Sequence, residues 1–164
     1  RLFSSLSPYV NGSRVLDLFA GTGSYGLEAL SRGAVDVTFV ERDRKTFNAL
    51  RSNLASVLKS AGLPNTVARL HNREVSEFIR HATGCFDFVF IDPPYADIDS
   101  TCPEIFTQLL ASKCLLPGIR LILESPGGKP FEFSGWKVDR IIGKEKKGSP
   151  VHRIYRPSPS VLDQ

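Results

Sequence analysis

The sequence predicts an α/β fold with one doubly wound, mostly parallel sheet, and three observations carry that prediction. Short apolar runs alternate with helical patterns along most of the chain. The first run, "RVLDLFAG" (14–21), ends in a glycine turn that opens a helix. A later run, "FDFVFI" (86–91), is apolar at nearly every position, as a central strand covered on both faces must be.

Taken in order, "RLFSSLSPYV" (1–10) reads as a helical segment ahead of the first strand. Leu27 to Arg32 follow the glycine turn as a helix, closed by Gly33. "VDVTFVE" (35–41) is the second strand. Phe47, Leu50, Leu54, Val57 and Leu58 then recur on one face of a helix, which Gly62 and Pro64 stop. "TVARL" (66–70) reads as a third strand, and Val75, Phe78, Ile79 and Ala82 as a short helix. After the strand at 86–91, Thr101 and Pro103 open a helix that turns Ile105, Phe106, Leu109 and Leu110 inward. "GIRLILE" (118–124) is the fifth strand. "GWKVDRII" and "HRIYR", joined by "GKEKKGSP", close the sheet as an antiparallel hairpin, giving about seven strands. Residues 1–156 form one domain, and "PSPSVLDQ" from 157 to 164 is expected to fray as a flexible tail.

Composition narrows the function classes. A chain of 164 residues with 41% hydrophobic and 23% charged residues is that of an ordinary globular domain. No apolar run approaches the ~18 residues of a membrane span, so no membrane partner is expected. Cys85, Cys102 and Cys114 are odd in number and lack ligand spacing. They read as reduced thiols of a cytoplasmic protein without structural zinc. The net charge of +4 is concentrated: Lys129 to Arg156 hold eight Lys/Arg against three acids. That basic third points to a polyanionic partner, with a solvated lysine-rich hairpin as the alternative. Lys144, Lys146 and Lys147 are its candidate RNA contacts. The chain contains no methionine, and a native N-terminal segment is expected to precede it.

The glycine turn is "GTGSYG", in which Gly21, Gly23 and Gly26 match G-x-G-x-x-G after a strand and before a helix. Such turns place a nucleotide-like ligand over the strand ends. Glu41, eighteen residues beyond Gly23, ends the second strand where an acid can accept from both ribose hydroxyls. The motif alone leaves a dinucleotide possible. Asp17 argues the other way: inside the apolar run "VLDLF" it would repel a pyrophosphate and attract an ammonium or sulfonium group. S-adenosylmethionine (SAM) offers both cations and no phosphate. Glu74, with the Val75 N–H beside it, is the candidate contact to the adenine ring, against the alternative that Asn72 or Glu74 caps a helix.

The second motif is "DPPY", Asp92, Pro93, Pro94 and Tyr95, directly after the strand at 86–91. An aromatic amine is a poor nucleophile because its lone pair is delocalised into the ring. Asp92 can accept one N–H and the carbonyl of Pro93, fixed by the two prolines, the other, which leaves the lone pair aimed at a methyl group. Tyr95 offers a face on which a base can stack, worth ~1–3 kcal/mol. Positioning two reactants in this way can supply about 7–11 kcal/mol of barrier reduction.

"VLDLFAGTGSYGLEALSRGA", "FVERD", "NL" (53–54), "FDFVFIDPPY" and "GSPVHRIYR" together resemble the bacterial 16S rRNA (guanine-N2)-methyltransferase family of class I SAM-dependent enzymes. The resemblance runs from about Leu2 to Arg156. It implies a Rossmann-like seven-stranded sheet whose last strand is antiparallel, with Asp17, Phe19, Gly21, Gly23, Glu41 and Arg42 bordering SAM. The product would be S-adenosylhomocysteine, and no metal would take part. Asp92 to Tyr95 would hold a guanine amine of small-subunit rRNA, within an assembled or assembling subunit, and the enzyme would act as a monomer. The family's basic, glycine-rich N-terminal stretch has no match here. "DPPY" alone also fits DNA adenine-N6 methyltransferases, and its cousin "NPPY" protein glutamine methyltransferases. An NAD-dependent oxidoreductase is the remote alternative.

Overall fold

A computed structural model describes residues 1–162. Its elements run α1 (Leu2–Val10), β1 (Arg14–Leu18), α2 (Ser24–Ser31), β2 (Asp36–Val40), α3 (Arg44–Ala61), β3 (Ala68–His71), α4 (Val75–His81), β4 (Phe86–Ile91), α5 (Ile98–Ala111), β5 (Leu115–Pro126), β6 (Trp136–Ile142), β7 (Pro150–Pro157) and α6 (Pro159–Leu162). The seven strands form one sheet in the order β3-β2-β1-β4-β5-β7-β6. β7 runs antiparallel to both of its neighbours, and the pairs from β3 across to β5 are parallel. This is the Rossmann-like sheet that the strand and helix alternation predicts.

Helices cover both faces because the strands are apolar on both. Val15, Val37, Phe39, Phe88, Phe90, Ile122 and Ile154 pack against α1, α2 and α3. Leu16, Leu18, Val40, Val89, Ile91, Leu121 and Leu123 pack on the other side against α4 and α5. α3 shows how local sequence sets an element. Asp43 caps its start, accepting from the Thr46 N–H at 2.9 Å. Phe47, Leu50, Leu54 and Leu58 form its buried stripe, while Val57 is half-buried at the edge. Gly62 ends it at φ 66°, with the Leu63 N–H returning to the Leu58 carbonyl at 2.9 Å. Each fully buried side chain of that size stabilises the fold by about 1.5–3 kcal/mol.

Several boundaries differ from expectation: α2 starts at Ser24 instead of Leu27 and β5 runs Leu115–Pro126 instead of 118–124, and three further differences have a local reason. β3 begins at Ala68 because Asn65–Val67 coil into a 3-10 turn, so the strand is later than 66–70. α5 starts at Ile98 because a 3-10 turn over Tyr95–Asp97 leads straight into it, leaving Pro103 inside the helix instead of near its start. The tail expected to fray from 157 is placed up to Leu162. Pro157 ends β7, and the Ser158 N–H bonds the Gly135 carbonyl at 2.8 Å ahead of α6. Positions 163 and 164 lie outside the described residues.

The order of strands positions the site. The chain builds outward from β1 to β3, then crosses back to lay β4 on the other side of β1. The C-terminal ends of β1 and β4 are paired, Leu18 opposite Ile91, and the loops beyond them diverge. A crevice opens at such a crossover.

Candidate active site

A cleft of about 840 Å³ lies there. It brings together Phe19, Gly21, Glu41, Arg42, Glu74, Val75 and the whole of Asp92, Pro93, Pro94 and Tyr95. The chain thus folds both of its motifs, 70 residues apart, onto one opening. Asp17 and Gly23 are buried behind its wall instead of lining it. Lys144, Lys146 and Lys147 lie outside it.

The glycine turn is built as its chemistry requires. Gly21 (φ 58°) and Gly23 (φ 98°) adopt left-handed backbone that a side chain would strain. A Cβ on Gly21 would meet nothing within 4 Å, so its exposed side is open cleft. A Cβ on Gly26 would lie 2.3 Å from the ring of Phe39, which is why α2 can pack tightly on β2. Phe19, the one non-glycine residue with positive φ (55°) among those described, sits on the same turn. A bulky residue held in that conformation is strained, as is common where a ligand is bound.

Glu41 is anchored from below. Its Oε1 accepts from the Gly21 N–H at 2.9 Å and its Oε2 from the Asp43 N–H at 2.8 Å. Each oxygen keeps a further lone pair for a ligand hydroxyl. Asn72 does not cap α4. Its amide clasps the carbonyls of Glu41 and Arg42 at 3.0 and 2.9 Å, fixing the loop after β2. Glu74 occupies the N-cap position of α4 without a capping bond and reaches instead to Arg42, Oε1 to Nη1 at 3.3 Å.

At the corner, Asp92 is half-buried, Pro93 buried and Tyr95 exposed. The Asp97 N–H donates to the Pro94 carbonyl at 2.9 Å and the Ile98 N–H to the Tyr95 carbonyl, so the 3-10 turn uses both of these and not that of Pro93. Burial first, and the neighbouring Glu124 carboxylate second, push the Asp92 carboxyl up to about 7. Burial and Glu124 likewise raise the Tyr95 hydroxyl.

Glu124 is the residue that sequence reasoning passed over. It reads there only as the last position of an apolar strand. The signal was nonetheless present: four strands of this sheet run into an acid, "VLD", "FVE", "FID" and "ILE". All four acids cluster at the same end of the sheet. Asp17 is the deepest and fully buried, and burial, with Asp92 and Glu41 adding to it, holds its carboxyl well above the usual range. Its Oδ2 accepts from the Gly26 N–H at 3.0 Å, and its Oδ1 is buried without a partner among the described residues.

These observations test what the cleft can hold. Among the described residues, Glu41, Asp43, Glu74, Asp92, Asp97, Glu104 and Glu124 line it against one cation, Arg42. Such a wall repels a pyrophosphate and attracts a positively charged ligand. The unpartnered Asp17 oxygen and the open side of Gly21 fit a group carrying ammonium, sulfonium and ribose hydroxyls.

The basic segment lies at the same edge of the sheet. β5 ends, and β7 begins, at the edge where β1 and β4 open the cleft, and the 143–149 loop joins β6 to β7 there. Lys144, Lys146 and Lys147 are exposed. The loop is braced by Arg153, which is 1% exposed. Its guanidinium donates to Glu145 Oε1 at 2.6 Å, to the carbonyls of Lys129 (2.8 Å) and Pro126 (3.3 Å), and to Ser125 Oγ.

A family model described as "Conserved hypothetical protein 95" matches residues 1–156. The chain is 35% identical over 158 residues to Ribosomal RNA small subunit methyltransferase D of Haemophilus influenzae, covering 94% of this chain and 77% of that protein. It is 39% identical over 157 residues to the Escherichia coli protein of the same name, covering 94% and 74%. Among solved structures, a conserved hypothetical protein of Streptococcus pyogenes matches with a TM-score of 0.77 at 31% identity, over 94% of this chain and 91% of that one.

Proposed function

The chain belongs to the family described as Conserved hypothetical protein 95, in company with small-subunit rRNA methyltransferase D proteins, and from that premise we propose that it transfers a methyl group from SAM to the exocyclic N2 amine of a guanine in 16S rRNA. The observation that carries the reading is the shared cleft: the corner at Asp92–Tyr95 and the cradle of Gly21 and Glu41 open onto one space.

SAM supplies a methyl group on a positively charged sulfur. Gly21 lets the backbone approach it, Glu41 receives its ribose hydroxyls, and Val75 and Glu74 meet its adenine. Asp17 holds the start of α2 from beneath by accepting from the Gly26 N–H. Asp92 and the Pro93 carbonyl each take one N–H of the guanine amine, which turns the nitrogen lone pair toward the methyl. Tyr95, exposed at the mouth, stacks on the base. The guanine must leave its own stack to reach the corner, at a cost of a few kcal/mol. With SAM held there, the methyl group would pass from sulfur to the nitrogen lone pair, the electron pair of the broken bond would stay on sulfur, and the nitrogen would shed one proton.

An acidic cleft cannot draw in RNA by its own field, so affinity has to come from basic surface at its rim. The exposed lysines of the 143–149 loop, at the same edge of the sheet, support that role. In this reading the substrate is the assembled or assembling small subunit, where protein and RNA shape present the base.

The test is methyl transfer from labelled SAM to assembled small subunits, naked 16S rRNA, DNA and a protein glutamine acceptor, followed by mass mapping of the methylated nucleoside. N2-methylguanosine from the subunit arm is expected. Label in DNA or protein alone overturns the substrate class, and equal transfer to naked rRNA overturns the subunit preference. NADH binding in place of SAM would overturn the cofactor.

A further inference from the structure

The acid at the end of β5 belongs to a row that extends past the cleft. In the sheet register Ile91 of β4 lies opposite Leu123 of β5, which puts Asp92 beside Glu124. Glu124 in turn lies opposite His152 of β7. Phe90, Ile122 and Ile154, two positions along each strand, all face α1–α3. Alternation along a strand therefore puts Asp92, Glu124 and His152 on that one face, side by side across three strands. The His152 Nε2 is 3.8 Å from Glu124 Oε1 and 2.9 Å from the hydroxyl of Tyr25 on α2. Tyr25 is itself fixed by stacking on Phe90, ring centroids 5.1 Å apart.

Glu124 stands between two openings. It lines the large cleft with Asp92, and it also lines a second cleft of about 580 Å³ with Tyr25 and His152. The row thus has a reacting end and a solvent end.

We propose that Glu124 shares a proton with Asp92 and passes it to His152, so that the proton released by the methylated amine leaves through the second cleft. Glu124 is a positioning residue here, since it acts through Asp92. The inference rests on the methyltransferase reading for its role and on the row alone for its existence. After methyl transfer the nitrogen is cationic, and its N–H proton moves to the Asp92–Glu124 pair, leaving the neutral methylamine. The pair returns to its starting charge when that proton crosses from Glu124 to His152 Nε2, displacing the bond to the Tyr25 hydroxyl, and the imidazolium loses its Nδ1 proton to water. Two carboxylates this close cannot both ionise easily, which is why the pair can accept a proton near neutral pH.

The groups facing the row from the packed elements are few. Asp17 of β1, Tyr95 beyond β4 and Tyr25 of α2 interact electrostatically with Asp92, Asp17 also with Glu41 of β2, and the side chains of Arg1, Glu28 and Arg32 line the second cleft with His152. Burial lowers the His152 ring and Glu124 opposes that, so the ring readily hands on to water a proton that it receives.

The experiment is a pH titration by NMR of carboxyl and imidazole carbons in the wild type and in Glu124→Gln, with no substrate added. In the variant the Asp92 midpoint should fall, because a like charge is gone, and the His152 midpoint should fall as well, because a favourable charge is gone. Glu124→Asp, which keeps the charge, should preserve both midpoints and guards against a folding defect in the amide. An unchanged Asp92 midpoint in Glu124→Gln overturns the shared proton, and an unchanged His152 midpoint overturns the transfer to it. Where the wild type methylates rRNA, the acid limb of kcat should move to lower pH in Glu124→Gln. A wild type that binds no SAM would sink the methyltransferase reading while these titrations still decide the row.

Discussion

The cleft and the 143–149 loop share one edge of the sheet and are charged in opposite senses. The cleft is walled by acids that end strands, and its glycines, its Glu41 anchor and its prolines are fixed by backbone. The loop presents lysines to solvent and is held by the buried Arg153 together with backbone bonds, among them the Gly127 N–H to the Ser149 carbonyl at 2.7 Å. The difference separates two tasks. An acidic wall suits a cationic cofactor and a neutral base, and basic residues alongside suit the phosphates that carry the base in. Neither surface could perform the other's task.

The largest effect should come from the brace. Arg153→Met leaves Ser125, two carbonyls and Glu145 without their shared donor, and should destabilise the protein by about 3–5 kcal/mol in denaturant unfolding, as broken buried ionic networks do. Unchanged stability would mean that the loop holds itself. Next, Asp92→Ala should cut kcat about 10²–10³-fold, the loss seen when one positioned polar group is removed at a reacting centre. Calorimetry should find SAM still bound, and abolished binding would instead make Asp92 a cofactor residue. Reversing Lys144, Lys146 and Lys147 to Glu should weaken RNA binding and flatten its salt dependence, by ~0.7 in slope for each phosphate no longer neutralised. The affinity for SAM should not move. If it does, the two surfaces are not independent.

Two smaller effects sharpen the cleft side. Asp17 has a raised folded-state carboxyl pKa, so the folded state holds its proton more tightly than the unfolded chain. Stability from this group is complete below the unfolded value and declines as pH rises toward the folded one. Asp17→Asn keeps the Gly26 bond and removes that decline. It should raise the Tm at pH 7.5 by roughly 2–4 °C, the shift that about 1 kcal/mol makes in a domain of this size, while weakening SAM binding. A lower Tm would show that the charge is compensated in a way the Gly26 bond does not explain. Least of all, Glu74→Ala breaks an exposed pair with Arg42 and should change stability by less than about 1 kcal/mol.

Much of this was legible in the chain because it depends on local pattern. The run "FDFVFI" coincides with β4 residue for residue, and the stripe from Phe47 to Leu58 is the buried face of α3. The glycine turn and the corner are short motifs, each written in a few consecutive residues. What escaped depends on register between distant strands. Glu124 meets Asp92 and His152 only because β4, β5 and β7 are neighbours, and no periodicity along the chain encodes that. Asn72 was legible as a polar residue near a helix start, but its clasp on the 41–42 carbonyls needs β2 and β3 side by side. The start of α5 was hidden for a different reason. Pro103 suits a helix opening, but the turn at Tyr95 has already nucleated the helix five residues before that proline.

β7 is laid between β5 and β6, although it follows both in the chain. During synthesis β6 therefore emerges with nothing to pair with, and β5 keeps a bare outer edge, until residues 150–157 clear the ribosome. The sheet closes only with that insertion, which also delivers Arg153, Tyr155 and His152 to their partners in one event. A nascent chain stalled short of residue 150 should expose an unprotected strand edge, which a chaperone would have to shield.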